Sequence, residues 1–267
     1  MLAAGPRHGL GGGDQITHRR AHAAPVGEVD VGQLAAGHRD HVLLVRDRAG
    51  QPRAVDLDDK GREQAQAVAT RIGSLPIRAI VRSPLLRCER TVEPLAAALG
   101  LTPIVDERIS EVDYGAWTGR KIADLVKEPL WSVVQQQPSA AVFPDGEGLA
   151  HVQSRAVAAV REHDRRLAEE HEGDVLWVAC THGDVIKAIV ADALGTHLDS
   201  FQRITADPAS MSVIRYTSVR PFVIHVNHTG DQLTSGLVPK PPKSDDQADS
   251  GDGEVPPEDA VVGGSTG

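Results

Sequence analysis

Aromatic residues are scarce. They make up 3% of the 267 residues, as three Trp, two Tyr and three Phe. A core must then be filled by aliphatic side chains and Ala, which the 40% hydrophobic content can supply. Cysteine is equally rare. Cys88 and Cys180 have neither metal-site spacing nor a disulfide framework around them, so two reduced, buried thiols are expected. No run approaches the ~18–20 apolar residues that span a bilayer, which argues against a membrane helix. The first residues, MLAAGPRHGLGGGD, hold no continuous apolar stretch and do not read as a secretory signal. These absences lead to the expectation of a soluble, cytoplasmic protein. Lysine is also sparse, six against 22 Arg, a bias of the kind a GC-rich genome produces.

The formal net charge is −9, unevenly spread. Residues 240–267 hold two Lys against seven Asp/Glu, whereas residues 1–41 balance four Arg with four Asp/Glu. The stretch between is mildly acidic and has no basic stripe, so nucleic acid is not expected as a partner. Composition divides the chain into three zones. Residues 1–41, rich in Gly, Ala and His, show neither a helical nor a strand period and read as an irregular, non-native or disordered segment. Residues 42–228 read as one domain. Residues 229–267 read as an acidic Pro/Gly-rich tail, disordered because it cannot bury enough surface to offset its ordering entropy.

The middle zone alternates strand and helix patterns. His41–Arg46 (HVLLVR) has strand length, and a helix from Asp58 to Ile72 follows with Ala65, Val68, Ala69 and Ile72 on one face. A strand at Ile77–Val81 leads to Ser83-Pro84, expected to open a helix with Ser as N-cap and Pro at the first position. That helix should stop at Gly100. A third strand is expected over Leu101–Val105, then mostly loop to residue 148. Leu149–His171 is a long amphipathic helix with Val152, Ala156, Val160, His163 and Leu167 in one stripe. Val175–Cys180 (VLWVAC) reads as a strand covered on both faces. A helix from Gly183 to Leu194 follows, then a hairpin of Met211–Thr217 and Pro221–Asn227. This order implies an α/β layer fold with a mostly parallel sheet.

In such sheets chemistry gathers beyond the carboxyl ends of the strands. Three segments there carry it. Cys180-Thr181-His182-Gly183-Asp184 ends a buried strand and opens a helix, so His182 lies beside a helix N-terminus, a natural anion site; the same His could merely cap the turn. In Ser83-Pro84-Leu85-Leu86-Arg87-Cys88-Glu89-Arg90-Thr91, Arg87 falls in a helix's first turn. Positive charge there opposes the helix dipole, a conflict that an anionic ligand or an ion pair with Glu111 or Glu89 would remove. Arg90 reads as a surface ion-pair residue. In Ile109-Ser110-Glu111-Val112-Asp113-Tyr114-Gly115-Ala116-Trp117-Thr118-Gly119, aromatics and glycines crowd one loop, where Glu111 could be shielded enough to donate a proton. Asp113 competes with it.

The motifs SPLLRCERT, ISEVDYGAWTG and CTHGD, in this order, resemble the histidine phosphatase superfamily, the phosphoglycerate-mutase-like fold. VDLDDKGREQAQAVA is similar to the family's leading helix segment, and the likeness spans about residues 42–228, nearest to actinobacterial phosphomutases. The resemblance implies a three-layer α/β/α domain with a mostly parallel central sheet. It implies phosphomonoester hydrolysis through a phosphohistidine, or a mutase reaction when a second substrate rather than water accepts the phosphoryl group. By position, His182 would be the second active-site His, stabilising phosphoryl charge. Arg87 would clamp the phosphate with Arg46, and Glu111 would protonate the leaving oxygen. No metal or other cofactor is implied. The partner would be a small phosphorylated substrate, selected by a lid between Lys121 and Gly148 in which Gln135-Gln136-Gln137 is exposed; the oligomeric state is not legible.

The pattern departs at the nucleophile. The family continues its first strand with Arg-His-Gly, but this chain reads Arg46-Asp47-Arg48-Ala49-Gly50-Gln51. Asp47 stands at the His position. Asp accepts phosphoryl groups in other enzymes, usually beside a divalent metal, and no such metal site is legible here. Arg7-His8-Gly9 supplies the other candidate nucleophile, His8, although Gly and Pro precede it where an inner strand belongs. His18, His22, His38 and His41 show no ligand spacing. A shifted reading frame or a wrong start over residues 1 to about 50 would account for these departures. Two further classes stay open: a catalytically dead phosphate-binding or interaction protein that keeps Arg46, Arg87 and His182 as an anion pocket, and a metal hydrolase using His182 and Asp184.

Overall fold

The computed structural model describes residues 40–46 and 56–230. His8, His18, His22, His38, Asp47, the side chains of His41 and Arg46, and nearly all of the expected irregular segment and acidic tail lie outside the described residues.

Strand β1 (Asp40–Arg46) is followed by α1 (Asp59–Ile72), β2 (Ile77–Arg82), α2 (Leu86–Leu99) and the short β3 (Ile104–Val105). Short helical pieces then lead through α3 (Ile122–Leu125) and α4 (Pro129–Gln136) to the long α5 (Leu149–His171). β4 (Leu176–Thr181), α6 (Gly183–Ala193), β5 (Met211–Tyr216) and β6 (Phe222–His228) complete the described fold. The strands form one sheet in the order β3-β2-β4-β1-β5-β6. β1, β2, β3 and β4 run parallel, and the β5–β6 hairpin joins antiparallel at β1.

Apolar side chains on both faces bury the central strands, which explains their continuous apolar runs. Val42 and Leu44 of β1 and Trp177 and Ala179 of β4 join the core under α5 and α6. Leu43, Val45, Val178 and Cys180 point the other way, into the core with Val68 and Ile72 of α1 and Val92 and Leu95 of α2. Helices therefore cover both sides of the sheet, in three layers. The few aromatics are placed economically. Trp177 is fully buried, and its indole N–H donates to Asp164 Oδ1 at 3.0 Å, so a large ring enters the core without an unmet donor.

Local signals set most boundaries. Asp58 caps α1 by accepting from the Gly61 N–H at 2.7 Å. Gly100 closes α2 in the left-handed region (φ 66°), where its N–H returns to the carbonyls of Ala96 and Ala97. Two expectations need correction. The third strand is only Ile104–Val105, because Pro103 has no N–H for a ladder. The helix after β2 begins at Leu86 with Leu85 as N-cap, not at Ser83-Pro84. The Ser83 hydroxyl lies 2.8 Å from His182 Nε2 and reaches the Leu85 N–H only at 3.4 Å, so it is spent on the imidazole rather than on capping a helix.

Candidate active site

The parallel register brings the candidate residues to one end of the sheet. Arg46 pairs with Thr181 and Arg82 with Cys180, so β1, β2 and β4 end side by side. The ladder extends one step further, with the Ser83 N–H donating to the Cys180 carbonyl at 3.0 Å. Ser83 and His182 thus leave adjacent strands at the same level. α2 and α6 start immediately beyond them and aim their N-termini at this end of the sheet.

Arg87, Glu111 and His182, far apart in sequence, converge here. His182 is fully buried, Arg87 is 4% exposed, and the Glu111 side chain is 11% exposed. Arg87 Nη2 lies 3.1 Å from His182 Nδ1. Glu111 Oε2 is 3.8 Å from both Arg87 Nη2 and His182 Nδ1. A guanidinium can only donate, so Nδ1 must accept. The ring proton then resides on Nε2, which donates to Ser83 Oγ at 2.8 Å. The Cys88 thiol, also buried, sits 3.7 Å from the same Nε2. Ser83 and Cys88 thus hold the imidazole from behind. Sequence reading cast Ser83 as a cap and Cys88 as core filler; the signal was the pairing of β2 and β4, which places residues just past each strand end side by side.

The Glu111 loop is held as firmly. Glu111 Oε1 accepts from the Val112 N–H at 3.0 Å, turning the other oxygen toward Arg87. Tyr114 donates its hydroxyl to Asp184 Oδ2 at 2.9 Å, tying this loop to the first turn of α6. Asp184 also pairs with Lys187 at 3.2 Å, so its carboxylate serves structure rather than a His182–Asp184 metal pair. Asp113 is exposed, and its carboxylate accepts from the Gly115 N–H at 3.0 Å. It is a turn residue and not the rival of Glu111. Arg90 is half-exposed and pairs with Glu93 at 3.0 Å and Asp56 at 3.7 Å, while Glu89 pairs with Arg82. Arg87 is the guanidinium of that helix turned inward.

One hydrogen-bond network anchors the stretch that leads into this loop. Asp106 accepts from Arg108 at 2.8 Å and lies 2.8 Å from His163 Nε2 of α5. Burial alone would push the Asp106 carboxyl up, but the hydrogen bonds from Arg108 and His163 outweigh it and lower its pKa to about 2. Among the described residues no cluster of His, Cys, Asp or Glu could hold a metal ion, and no helix is long and apolar enough to cross a membrane.

A buried guanidinium, an imidazole and a carboxyl gathered at the carboxyl ends of parallel strands are an arrangement suited to a phosphoryl group. Residues 41–229 match the Histidine phosphatase superfamily, branch 1, and the chain belongs to that superfamily. The proteins it resembles include a phosphatase and a probable mutase. It is similar to phosphoserine phosphatase 1 of Hydrogenobacter thermophilus, 28% identical over 179 residues, covering 65% of this chain and 81% of the relative. It is 31% identical over 164 residues to the probable phosphoglycerate mutase GpmB of Escherichia coli O1:K1, covering 60% and 73%. In fold it matches the native structure of mycobacterial glucosyl-3-phosphoglycerate phosphatase, with a TM-score of 0.63 at 23% identity over 71% of this chain and 99% of that one.

Proposed function

We propose that the chain is a phosphomonoester hydrolase that works through a phosphohistidine on a small phosphorylated substrate. The convergence of Arg87, His182 and Glu111 within 4 Å carries this reading. Phosphoryl transfer asks a protein mainly for positioning and for charge stabilisation around the equatorial oxygens. In this reading Arg87 clamps two of those oxygens with a fixed fork of donors, and Arg46 adds a second guanidinium at the end of β1. When Arg87 turns its donors to the phosphate, His182 Nδ1 is released to take up a proton and give it as a hydrogen bond to the phosphoryl group, while Nε2 stays on Ser83; the N-termini of α2 and α6 add to this charge. A histidine nitrogen attacks phosphorus while the bond to the leaving oxygen breaks and Glu111 gives that oxygen its proton. Water then attacks the phosphohistidine, Glu111 takes the water's proton, and phosphate leaves. A second phosphate acceptor in place of water makes the same site a mutase. No metal or cofactor takes part in these steps.

The nucleophile is the open place in this scheme, with His8 the candidate and Asp47 at the position the family gives to His. This observation favours a second reading, in which the site binds phosphate without turning it over. The mildly acidic charge of residues 42–239 supports a cytoplasmic enzyme without nucleic-acid or membrane partners. The readings are separated by phosphate release from an aryl phosphate and acid-labile trapping of phosphohistidine in wild type, His182→Ala and His8→Ala. Turnover with a trapped phosphoenzyme, lost in His182→Ala, is the expected result, and its loss in His8→Ala assigns the nucleophile. Binding of vanadate without turnover establishes the second reading instead.

A further inference from the structure

Helix α5 reaches the Glu111 loop through one residue that the scheme above does not use. Arg155 is 14% exposed, and Glu147, its partner, 15%. The guanidinium makes a fork with the Glu147 carboxylate, Nη2 to Oε1 at 2.6 Å and Nε to Oε2 at 3.0 Å. Its remaining donors go to the backbone of the active-site loop: Nη1 to the Arg108 carbonyl at 2.7 Å and Nη2 to the Glu111 carbonyl at 3.2 Å. Glu147 completes the clamp from the far side, accepting from the Asp113 N–H at 3.0 Å. The Glu147 N–H also donates to the Asp113 carbonyl at 2.9 Å. One half-hidden ion pair thus fixes the backbone at 108, 111 and 113. The peptide that hydrogen-bonds the Glu111 carboxyl, Val112, lies inside that span.

We infer that Arg155, acting with Glu147, is a positioning residue that sets the orientation of the Glu111 carboxyl toward the leaving oxygen. The inference rests on Glu111 as proton donor. Burial pushes the Glu147 carboxyl up, yet the hydrogen bonds from Arg155, the Asp113 N–H and His151, together with the Arg155 charge, outweigh it and hold Glu147 below its ordinary range. A lysine at 155 would keep the charge but not the fork, since an ammonium is a point donor and cannot span Glu147 and two carbonyls in one plane.

The test compares leaving groups. A dinitrophenolate leaves without a proton, whereas an alkoxide needs one, and a general acid contributes roughly a hundredfold or more only to the latter. In Glu111→Gln, kcat/KM should fall far more for an alkyl phosphate than for 2,4-dinitrophenyl phosphate. Arg155→Lys and Glu147→Gln should show the same selective fall, about tenfold or more on the alkyl phosphate, with inorganic phosphate inhibiting as in wild type. Equal losses on both substrates in the Arg155 and Glu147 variants, beside a selective loss in Glu111→Gln, overturn the positioning role alone. Equal losses in Glu111→Gln overturn the donor on which it rests. If the wild type binds phosphate without turnover, the carboxyl is read directly by 13C NMR, with the Glu111 resonance assigned by its loss in Glu111→Gln. Arg155→Lys should then move its titration midpoint by about half a unit or more, as displacement from Arg87 demands. An unmoved midpoint overturns the inference.

Discussion

At the residue scale, the site is a set of obligate pairings around one buried imidazole. Arg87 donates to His182 Nδ1, so the ring is fixed in the tautomer that donates from Nε2 to Ser83. Removing either partner has a defined consequence. Arg87→Ala takes away the inward-facing guanidinium, and a charge-assisted pair with phosphate is worth roughly 1.5–3 kcal/mol. Calorimetric titration with inorganic phosphate should show affinity weaker by at least tenfold; unchanged affinity would place the phosphate elsewhere. Ser83→Ala leaves the His182 Nε2–H without its oxygen in a fully buried position. An unsatisfied buried donor costs about 1–3 kcal/mol, so the urea midpoint should drop accordingly. The chemistry-bearing residues His182, Arg87 and Glu111 were legible because each is an anomaly locally: a His at a strand end, a cation where a helix dipole repels it, a carboxylate among aromatics. Ser83 and Cys88 were not, since nothing in their own neighbourhood distinguishes a cap or a core thiol from a wall of the His182 pocket.

At the scale of elements, periodicity and caps located most of the fold. The apolar stripe of α5 and the continuous run of β4 are strong patterns, and the bounds of α5 match them residue for residue. The misreadings have one physical origin, proline. Pro84 reads in the sequence as a first helical residue but precedes the N-cap, and Pro103 shortens β3 by withholding an N–H. What periodicity could not reveal is how the loop of Glu111 packs, because that packing is backbone against backbone. Gly115 has φ 50°, and a Cβ built there would lie 2.1 Å from the Pro144 carbonyl oxygen. Gly146 faces back, its Cβ direction 2.3 Å from the Asp113 carbonyl oxygen. Tyr114, Trp117 and Phe143 pack edge to face over this crossing. Gly115→Ala therefore has no side-chain movement to relieve it, and the two segments must separate. Destabilisation of about 2 kcal/mol or more is expected in urea unfolding, together with loss of any selective assistance to poor leaving groups. Wild-type stability in that variant would show the two segments to be loosely joined.

At the scale of the whole molecule, the sheet aligns the strand ends, and the outer layer of α5 decides where the loop beyond β3 comes to rest. Two contacts do this, Arg155 at Glu111 and His163 at Asp106, and the second leaves a signature in acid. Asp106 titrates at about 2 in the fold, against an ordinary value of 3.8. A depressed carboxyl contributes its full stability above the unfolded value, where it is ionised in both states. As pH falls from about 4 through about 2 the unfolded chain takes up the proton first, so that contribution drains away. The shift corresponds to on the order of 1–2 kcal/mol once solvent screening at the half-exposed Arg108 is allowed for. Asp106→Asn should therefore be less stable than wild type by about that amount at pH 5, and the gap should close as the pH approaches 2. Urea unfolding of both proteins at half-unit steps between pH 5 and 2 measures the gap directly. A difference that stays constant over this range would mean that Asp106 contributes by shape and neutral hydrogen bonding rather than by its charge.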